Sequence, residues 1–128
     1  MSDDAKVVSV LIVDDDLVIR MMLKTLLEHM GVRIAGEAGN GKDAVSAYRT
    51  LKPDLTLLDI EMPLKNGFDT LKEIRKINAG AEVIMLTGND NTAVAESCIH
   101  AGARTYIKKG ASLDVLKAAL KPHLDAPS

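Results

Sequence analysis

The sequence predicts an α/β fold in which a parallel sheet of five strands is covered by helices on both faces. Short apolar runs alternate with segments of helical periodicity along the whole chain. Hydrophobic residues make up 47% of the 128 residues, enough for a core, and aromatic residues only 2%, so this core is aliphatic. Strands that alternate with helices need crossover connections, and such connections make the strands parallel.

The first half of the chain contains three strands and two helices. Residues 7–13 form a nearly continuous apolar run, which predicts a buried strand. Apolar residues at helical spacing over residues 19–30 predict the first helix, and Gly31 occupies a position that favours glycine at a helix end. The next elements are a more polar second strand, a second helix ended by Pro53 and a third strand, at residues 32–38, 44–51 and 55–58.

The second half continues the alternation after a turn-rich loop with Pro63 and the pair Asn66-Gly67. It contains a third helix, a fourth strand, a fourth helix ending near Gly102, a mixed fifth strand and a fifth helix capped by Ser112, at residues 71–77, 83–86, 94–99, 104–108 and 113–124. The expected buried stripe of the last helix consists of Leu113, Leu116, Leu120 and Leu124.

The polarity of the strands predicts their order in the sheet. Strands one, three and four are almost wholly apolar, as expected for strands with both faces buried. Strands two and five contain charged residues and belong at the edges, because they include Arg33, Glu37, Arg104 and Lys108. These placements favour the order 2-1-3-4-5, the flavodoxin-like doubly wound (βα)5 arrangement, whose ligand crevice opens between strands one and three, where the order reverses.

Acidic side chains follow both strands at this reversal. Strand one leads into Asp14, Asp15 and Asp16, and strand three leads into Asp59. Neighbouring strands lie about 4.8 Å apart, so these carboxylates should converge, and their repulsion favours a bound cation. Oxygen ligands favour Mg²⁺ over a transition metal. Asp16 alone has a simpler explanation as the cap of the first helix.

A hydroxyl group and an ammonium group are expected at the same edge of the sheet. Strand four ends at Thr87, and strand five ends at Lys108 and Lys109. Cation-binding acids, a carboxylate nucleophile and two donors for a charged group together predict a phosphoryl-transfer site.

Four segments, VLIVDDD, LLDIEMPLKNG, IMLTG and AGARTYIKK, resemble the receiver domain (CheY-like) of bacterial two-component response regulators. The resemblance covers almost the whole chain, with its segments in the family order. It implies a phospho-acceptor signalling switch and not a dedicated enzyme. A histidine kinase or a phosphotransfer protein would donate the phosphoryl group, and the conformational change would control a partner protein.

The resemblance assigns the acidic residues to roles. Asp59 matches the phospho-acceptor, and Asp14 and Asp15 match the acidic pocket. Asp15, Asp59 and the main-chain carbonyl of Glu61 would bind Mg²⁺, with Asp14 acting mainly through water. Glu61 and Asn89 occupy variable positions that influence the rate of dephosphorylation in the family.

The resemblance also assigns the switch. Thr87 and Lys109 would contact the phosphoryl group, and Tyr106 would be the aromatic switch residue. The downstream target would bind the face formed by the fourth helix, the fifth strand and the fifth helix. Two residues depart from the family pattern: Gly110 replaces the usual proline, and Thr105 replaces a common glycine.

Two other motifs suggest different functions. Residues 36–42, GEAGNGK, match a nucleotide-binding G-x-x-x-x-G-K loop, but Asp43 replaces the required Ser or Thr, which favours a turn and a helix start. Residues 14–18 match the D-x-D-x-V motif of haloacid-dehalogenase-type phosphatases, which would make Asp14 the nucleophile. The sequence has no later acidic pair and no room for a cap domain, and that hypothesis leaves Asp59 without a role.

Composition disfavours further classes. A formal net charge of -2 argues against direct nucleic-acid binding. No apolar run approaches the roughly 20 residues of a membrane-spanning helix, and the N-terminus lacks signal-peptide features. Cys98 cannot form an internal disulfide, so we expect a reducing, cytoplasmic location and an inert, packed thiol.

The length predicts one domain over residues 1–128, with a core at about residues 7–124 and a frayed tail at residues 125–128. The three histidines, His29, His100 and His123, are expected near helix C-termini and not in a cluster.

Overall fold

The computed structural model describes residues 7–88 and 92–124. The strands are β1 Ser9–Val13, β2 Arg33–Ala38, β3 Leu55–Asp59, β4 Val83–Thr87 and β5 Thr105–Lys108. The helices are α1 Leu17–His29, α2 Gly41–Leu51, α3 Gly67–Ile77, α4 Thr92–His100 and α5 Leu113–Leu124. The expectations for the N-terminus, for Asn89 and for the tail concern residues outside these described ranges.

The five strands pair in parallel in the order β2-β1-β3-β4-β5, which confirms the predicted flavodoxin-like arrangement. Every residue of β1, β3 and β4 is buried, whereas most of β2 is exposed or half-buried. The apolar strands therefore occupy the centre, because helices cover them on both faces. The order reverses between β1 and β3, and this places their carboxyl ends side by side.

Alternate residues of each strand pack into two aliphatic layers on opposite faces of the sheet. In β1, Leu11 and Val13 belong to the layer under α2, α3 and α4, and Val10 and Ile12 to the layer under α1 and α5. Cys98 is fully buried in the first layer, which confirms its predicted packing role. No helix in the described part of the chain is long and apolar enough to cross a membrane.

Side-chain caps define where the helices begin near the site. Asp16 caps α1, Asn40 caps α2 and Asn66 caps α3, each by accepting from main-chain N–H groups in the first turn. Residues 36–42 therefore form a strand end, a turn and a helix start, as predicted, and not a phosphate loop. Gly31 has a φ of +81°, which confirms the glycine requirement after α1.

The predicted stripe of α5 is wrong at one position. Leu116, Leu120 and Leu124 are buried, but Leu113 is 53% exposed. Leu113 is the first residue of α5 and adjoins the loop at the carboxyl edge of the sheet, so it does not reach the apolar surface of the strands. Strand β1 also begins at Ser9, two residues later than predicted. Val7, which was predicted to begin the buried strand, is exposed and precedes it.

Candidate functional site: an acidic pocket at the carboxyl edge of the sheet

The site lies where β1 and β3 end beside each other. Val13 pairs with Leu58 across the two strands, so Asp14 and Asp59 follow as neighbours. Carboxylate oxygens of Asp14, Asp15 and Asp59 lie within 4.8 Å of one another. Asp14 and Asp59 are buried, whereas Asp15 is exposed. The structure thus brings together three acids that the sequence placed at this edge, and this cluster is consistent with a metal site.

Lys109 reaches these acids from the loop after β5. Its Nζ atom lies 3.0 Å from Asp14 Oδ2 and 3.2 Å from Asp59 Oδ2, and its side chain is 17% exposed. Its main-chain N–H donates to the carbonyl of Thr87, which ties this loop to the end of β4. Burial alone would lower the pKa of the Lys109 ammonium, but its hydrogen bond to Asp14 and the charges of both acids outweigh burial and raise it.

The pKa of Asp59 is raised by its surroundings. Burial and then the charge of Asp14 raise its pKa from 3.8 to about 7, against the opposing effects of Lys109 and of the Glu61 N–H. That N–H donates to Asp59 Oδ1 over 3.3 Å. Asp59 Oδ2 lies close to Lys109 but receives no well-aligned hydrogen bond from the described residues. This buried oxygen is therefore bound by the charge of Lys109 and not by an aligned hydrogen bond.

Asp14 is oriented by contacts on every side. Its Oδ1 accepts from the N–H of Asp16 over 2.9 Å, and its own N–H donates to the carbonyl of Ala38 over 3.1 Å. A guanidinium nitrogen of Arg20 donates to the main-chain oxygen of Asp14. The sequence did not indicate a role for Arg20. Nothing in the order of residues shows that its guanidinium group, on α1, contacts the loop that precedes this helix.

Thr87 and Tyr106 lie on one face of the sheet. Asp59 pairs with Leu86 of β4, so Thr87 is one residue beyond this pair, and it is buried. Tyr106 of β5 pairs with Met85 and packs, half-buried, against the layer under α4. Alternation along β4 points Thr87 to the same face as Met85 and therefore to the face of Tyr106.

Gly67 lets the loop after β3 close against the site. Its N–H donates to the carbonyl of Ile60 over 2.7 Å. A Cβ atom at this position would lie 2.2 Å from the main-chain oxygen of Asp59 and 2.7 Å from Ile60 Cα. The sequence indicated only a turn at this glycine, since the close approach involves a strand eight residues earlier in the chain.

The pocket does not have the arrangement of a D-x-D phosphatase. Asp16, the second acid of that motif, accepts from the N–H groups of Val18 and Ile19 as the cap of α1. Asp59 occupies the pocket in its place, together with Asp14 and Asp15. Asp59, which has no role in the phosphatase hypothesis, is therefore central to the observed site.

Comparisons with known proteins agree with this geometry. The family described as "Response regulator receiver domain" matches residues 10–121. The chain is 46% identical to the chemotaxis protein CheY of Thermotoga maritima over 100 residues, covering 78% of this chain and 83% of that protein. It is 38% identical to CheY of Bacillus subtilis over 116 residues, covering 91% and 97%.

A solved structure shows the same fold at high similarity. The CheX-CheY-BeF3-Mg complex of Borrelia burgdorferi contains a chain that superposes with a TM-score of 0.86 at 28% identity, covering 96% of this chain and 95% of that one. Receiver domains pair with histidine kinases and act as signalling modules, not as classical enzymes. The sequence, the strand order and the acidic pocket of this chain therefore show that it belongs to the response regulator receiver domain family, whose members are phospho-acceptor switches.

Proposed function

We propose that Asp59 accepts the phosphoryl group and that Thr87 and Lys109 bind its oxygens. The observation that carries this proposal is the buried Asp59 carboxylate, with Lys109 Nζ 3.2 Å from its Oδ2 atom and Asp14 beside it. A carboxylate held this way can act as a nucleophile, and an ammonium group can neutralise the incoming phosphoryl charge. The single domain expected over residues 1–128 is part of the same proposal.

Mg²⁺ is the cofactor that fits the donor set. When ionised, the three acids carry three negative charges and Lys109 one positive charge, so two negative charges remain for a divalent cation to balance. Asp15, Asp59 and the main-chain carbonyl of Glu61 would be its ligands, and Asp14 would act mainly through water. Bound Mg²⁺ would neutralise charge between the carboxylates and the phosphoryl oxygens.

The donor in this proposal is a phosphohistidine on a histidine kinase or a phosphotransfer protein. An Asp59 oxygen forms a bond to phosphorus while the bond from phosphorus to the histidine nitrogen breaks, and the nitrogen keeps the electron pair. Lys109, which also contacts Asp14, holds Asp59 in place for this step, and Gly67 closes the loop after β3. The product is an acyl phosphate on Asp59.

The output follows from the shared face of Thr87 and Tyr106. The hydroxyl of Thr87 would turn towards the new phosphoryl group, and this would free space for Tyr106 against α4. Tyr106 already packs against the layer that contains Ala95 and Cys98 of α4. The face formed by α4, β5 and α5 would change shape and control a downstream protein.

The acceptor is tested by labelling with a small phosphodonor and Mg²⁺. The wild type should gain one acid-stable, base-labile acyl phosphate, detected by mass spectrometry, and Asp59→Asn should gain none. Asp16→Asn is the matched control and should be labelled like the wild type, because the Asp16 side chain caps α1 and its main-chain contact with Asp14 is kept. Full labelling of Asp59→Asn, with Asp14→Asn unlabelled, would instead support the phosphatase mechanism.

The switch is tested with beryllofluoride, which mimics the phosphoryl group. In the wild type, amide chemical shifts should change from Asp59 to Tyr106 and α4. In Lys109→Ala and Thr87→Ala the changes should stay near Asp59, because the contact that reports the phosphoryl group is lost. Coupling of this kind is typically about 1–3 kcal/mol, enough to change populations several-fold. Local changes in the wild type too would contradict the proposed output face.

A further inference from the structure

The guanidinium of Arg20 connects α1, the edge strand β2 and the loop of the acidic pocket. Its Nε donates to Glu37 Oε1 over 3.2 Å, and another of its nitrogens donates to the main-chain oxygen of Asp14. The side chain of Arg20 is only 18% exposed, and its contact with the Asp14 carbonyl is partly buried, whereas its ion pair with Glu37 lies at the surface. Arg20 is therefore fixed at both ends of its planar group.

This contact bears directly on Asp15, the exposed acid of the pocket. The carbonyl of Asp14 and the N–H of Asp15 belong to one planar peptide group. Arg20 fixes the direction of that carbonyl, and the hydrogen bond from the Asp14 N–H to Ala38 fixes the preceding end. The orientation of this peptide plane sets the direction in which the main chain enters Asp15, and so contributes to where the Asp15 carboxylate lies relative to Asp59.

The end of β2 leaves room for the guanidinium. A Cβ atom at Gly39 would lie 3.3 Å from an Arg20 nitrogen, closer than side chains ordinarily pack. The contact also depends on the shape of Arg20, since a guanidinium can donate to a carbonyl and to a carboxylate at the same time in a fixed geometry. A lysine ammonium lacks this planar fork.

We propose that Arg20, held by Glu37, is a positioning residue that sets the cation affinity of the acidic pocket through the Asp14–Asp15 peptide. This inference rests on the magnesium site proposed above. The charge of Arg20 alone would have the opposite effect, because a positive group near the pocket repels a cation. Removal of Arg20 should therefore weaken Mg²⁺ binding if it positions the acids, and strengthen binding if only its charge matters.

The experiment is a titration of each folded variant with Mg²⁺ alone, followed by amide chemical shifts. Arg20→Ala should raise the dissociation constant about 10-fold, the scale on which residues that orient metal ligands act. Arg20→Lys should recover only part of this loss. Without Mg²⁺, the Asp15 amide signal should already move in Arg20→Ala, which a general loss of stability would not cause.

Lys24→Ala is the matched control. Lys24 Nζ lies 3.8 Å from Glu37 Oε2, so this change removes a positive partner of Glu37 and leaves the Arg20 contact with Asp14 in place. Its Mg²⁺ affinity should stay within twofold of the wild type. Glu37→Gln keeps Arg20 but removes its ionic anchor. Because the lost negative charge weakens cation binding by itself, this variant is judged by the Asp15 amide signal without Mg²⁺, which should move as it does in Arg20→Ala. It also carries the test if Arg20→Ala does not fold.

The outcomes separate this inference from the magnesium site. Unchanged or tighter Mg²⁺ binding in folded Arg20→Ala would overturn the positioning role, and so would an unmoved Asp15 amide signal in Glu37→Gln if Arg20→Ala does not fold. Asp15→Asn is the reference for loss of a direct ligand and should weaken binding at least as much as Arg20→Ala. A wild type without a saturable response to Mg²⁺ would overturn the metal site itself, and this inference with it.

Discussion

Replacing Asp59 by Asn should stabilise the metal-free protein at about pH 8. Burial and the charge of Asp14 raise the pKa of Asp59 from 3.8 to about 7, so the fold disfavours the ionised carboxylate. Each pKa unit corresponds to about 1.4 kcal/mol, which bounds the gain at about 4 kcal/mol. We expect about 2 kcal/mol, because the buried asparagine amide is itself incompletely hydrogen-bonded.

The same shift predicts how stability depends on pH. Between about pH 4 and pH 7 the folded protein holds a proton on Asp59 that the unfolded chain has released. The free energy of unfolding of the wild type should therefore fall as pH rises through this window and level off above it. Asp59→Asn has no such proton, so its stability should fall less over the same range.

Urea unfolding at about pH 5 and pH 8, with EDTA present, measures both effects. Glu28→Gln, at an exposed carboxylate of α1, is the matched control and should keep the pH dependence of the wild type. Saturating Mg²⁺ should stabilise the wild type more than Asp59→Asn, because a ligand stabilises the state that binds it. An identical pH dependence in the wild type and Asp59→Asn would show that Asp59 is not buried as described.

Replacing Gly67 by Ala should destabilise the protein by at least about 2 kcal/mol, because the added Cβ overpacks a closed site. It would lie 2.2 Å from the main-chain oxygen of Asp59, and a main-chain atom cannot rotate away as a side chain can. The better helix propensity of alanine, about 1 kcal/mol, offsets only part of this cost at the start of α3. Either α3 or the loop after β3 must move.

This movement should also slow phosphorylation. A displacement of Asp59 of about 1 Å from its attacking position can cost about 100-fold in rate. We therefore expect acyl phosphate to form about 10- to 100-fold more slowly in Gly67→Ala, measured with a small phosphodonor under conditions where the variant is folded. Destabilisation without any change in rate would show that the loop, and not Asp59, absorbs the added methyl group.

Gly110→Ala is the control for a glycine without this constraint. Nothing lies within 4 Å of a Cβ atom built at Gly110, and its φ is not positive. Alanine there should be neutral or stabilise by up to about 1 kcal/mol, because it restricts the unfolded chain. The contrast isolates the close approach at Gly67 from the general effect of replacing a glycine.

The sequence alone determined the architecture, because the polarity of each strand indicates whether it is buried on both faces or lies at an edge. The nearly continuous apolar runs of β1, β3 and β4 require cover on both faces, and the charges of β2 require an edge. The same logic placed Asp14, Asp15 and Asp59 together, since the carboxyl ends of parallel strands meet at one edge. The spacing of apolar residues and the polarity of a segment are local properties, so they can be read directly from the sequence.

Only the tertiary structure decided which groups touch within the pocket. Lys109 is bound to both Asp14 and Asp59, Arg20 to the carbonyl of Asp14, and Gly67 lies against the backbone of Asp59. Each contact joins two different elements of the fold, and no repeating pattern of residues in the sequence indicates that these two elements meet. Distances of about 3 Å depend on how helices and loops pack against the sheet, and the raised pKa of Asp59 follows from that packing and not from its neighbours in sequence.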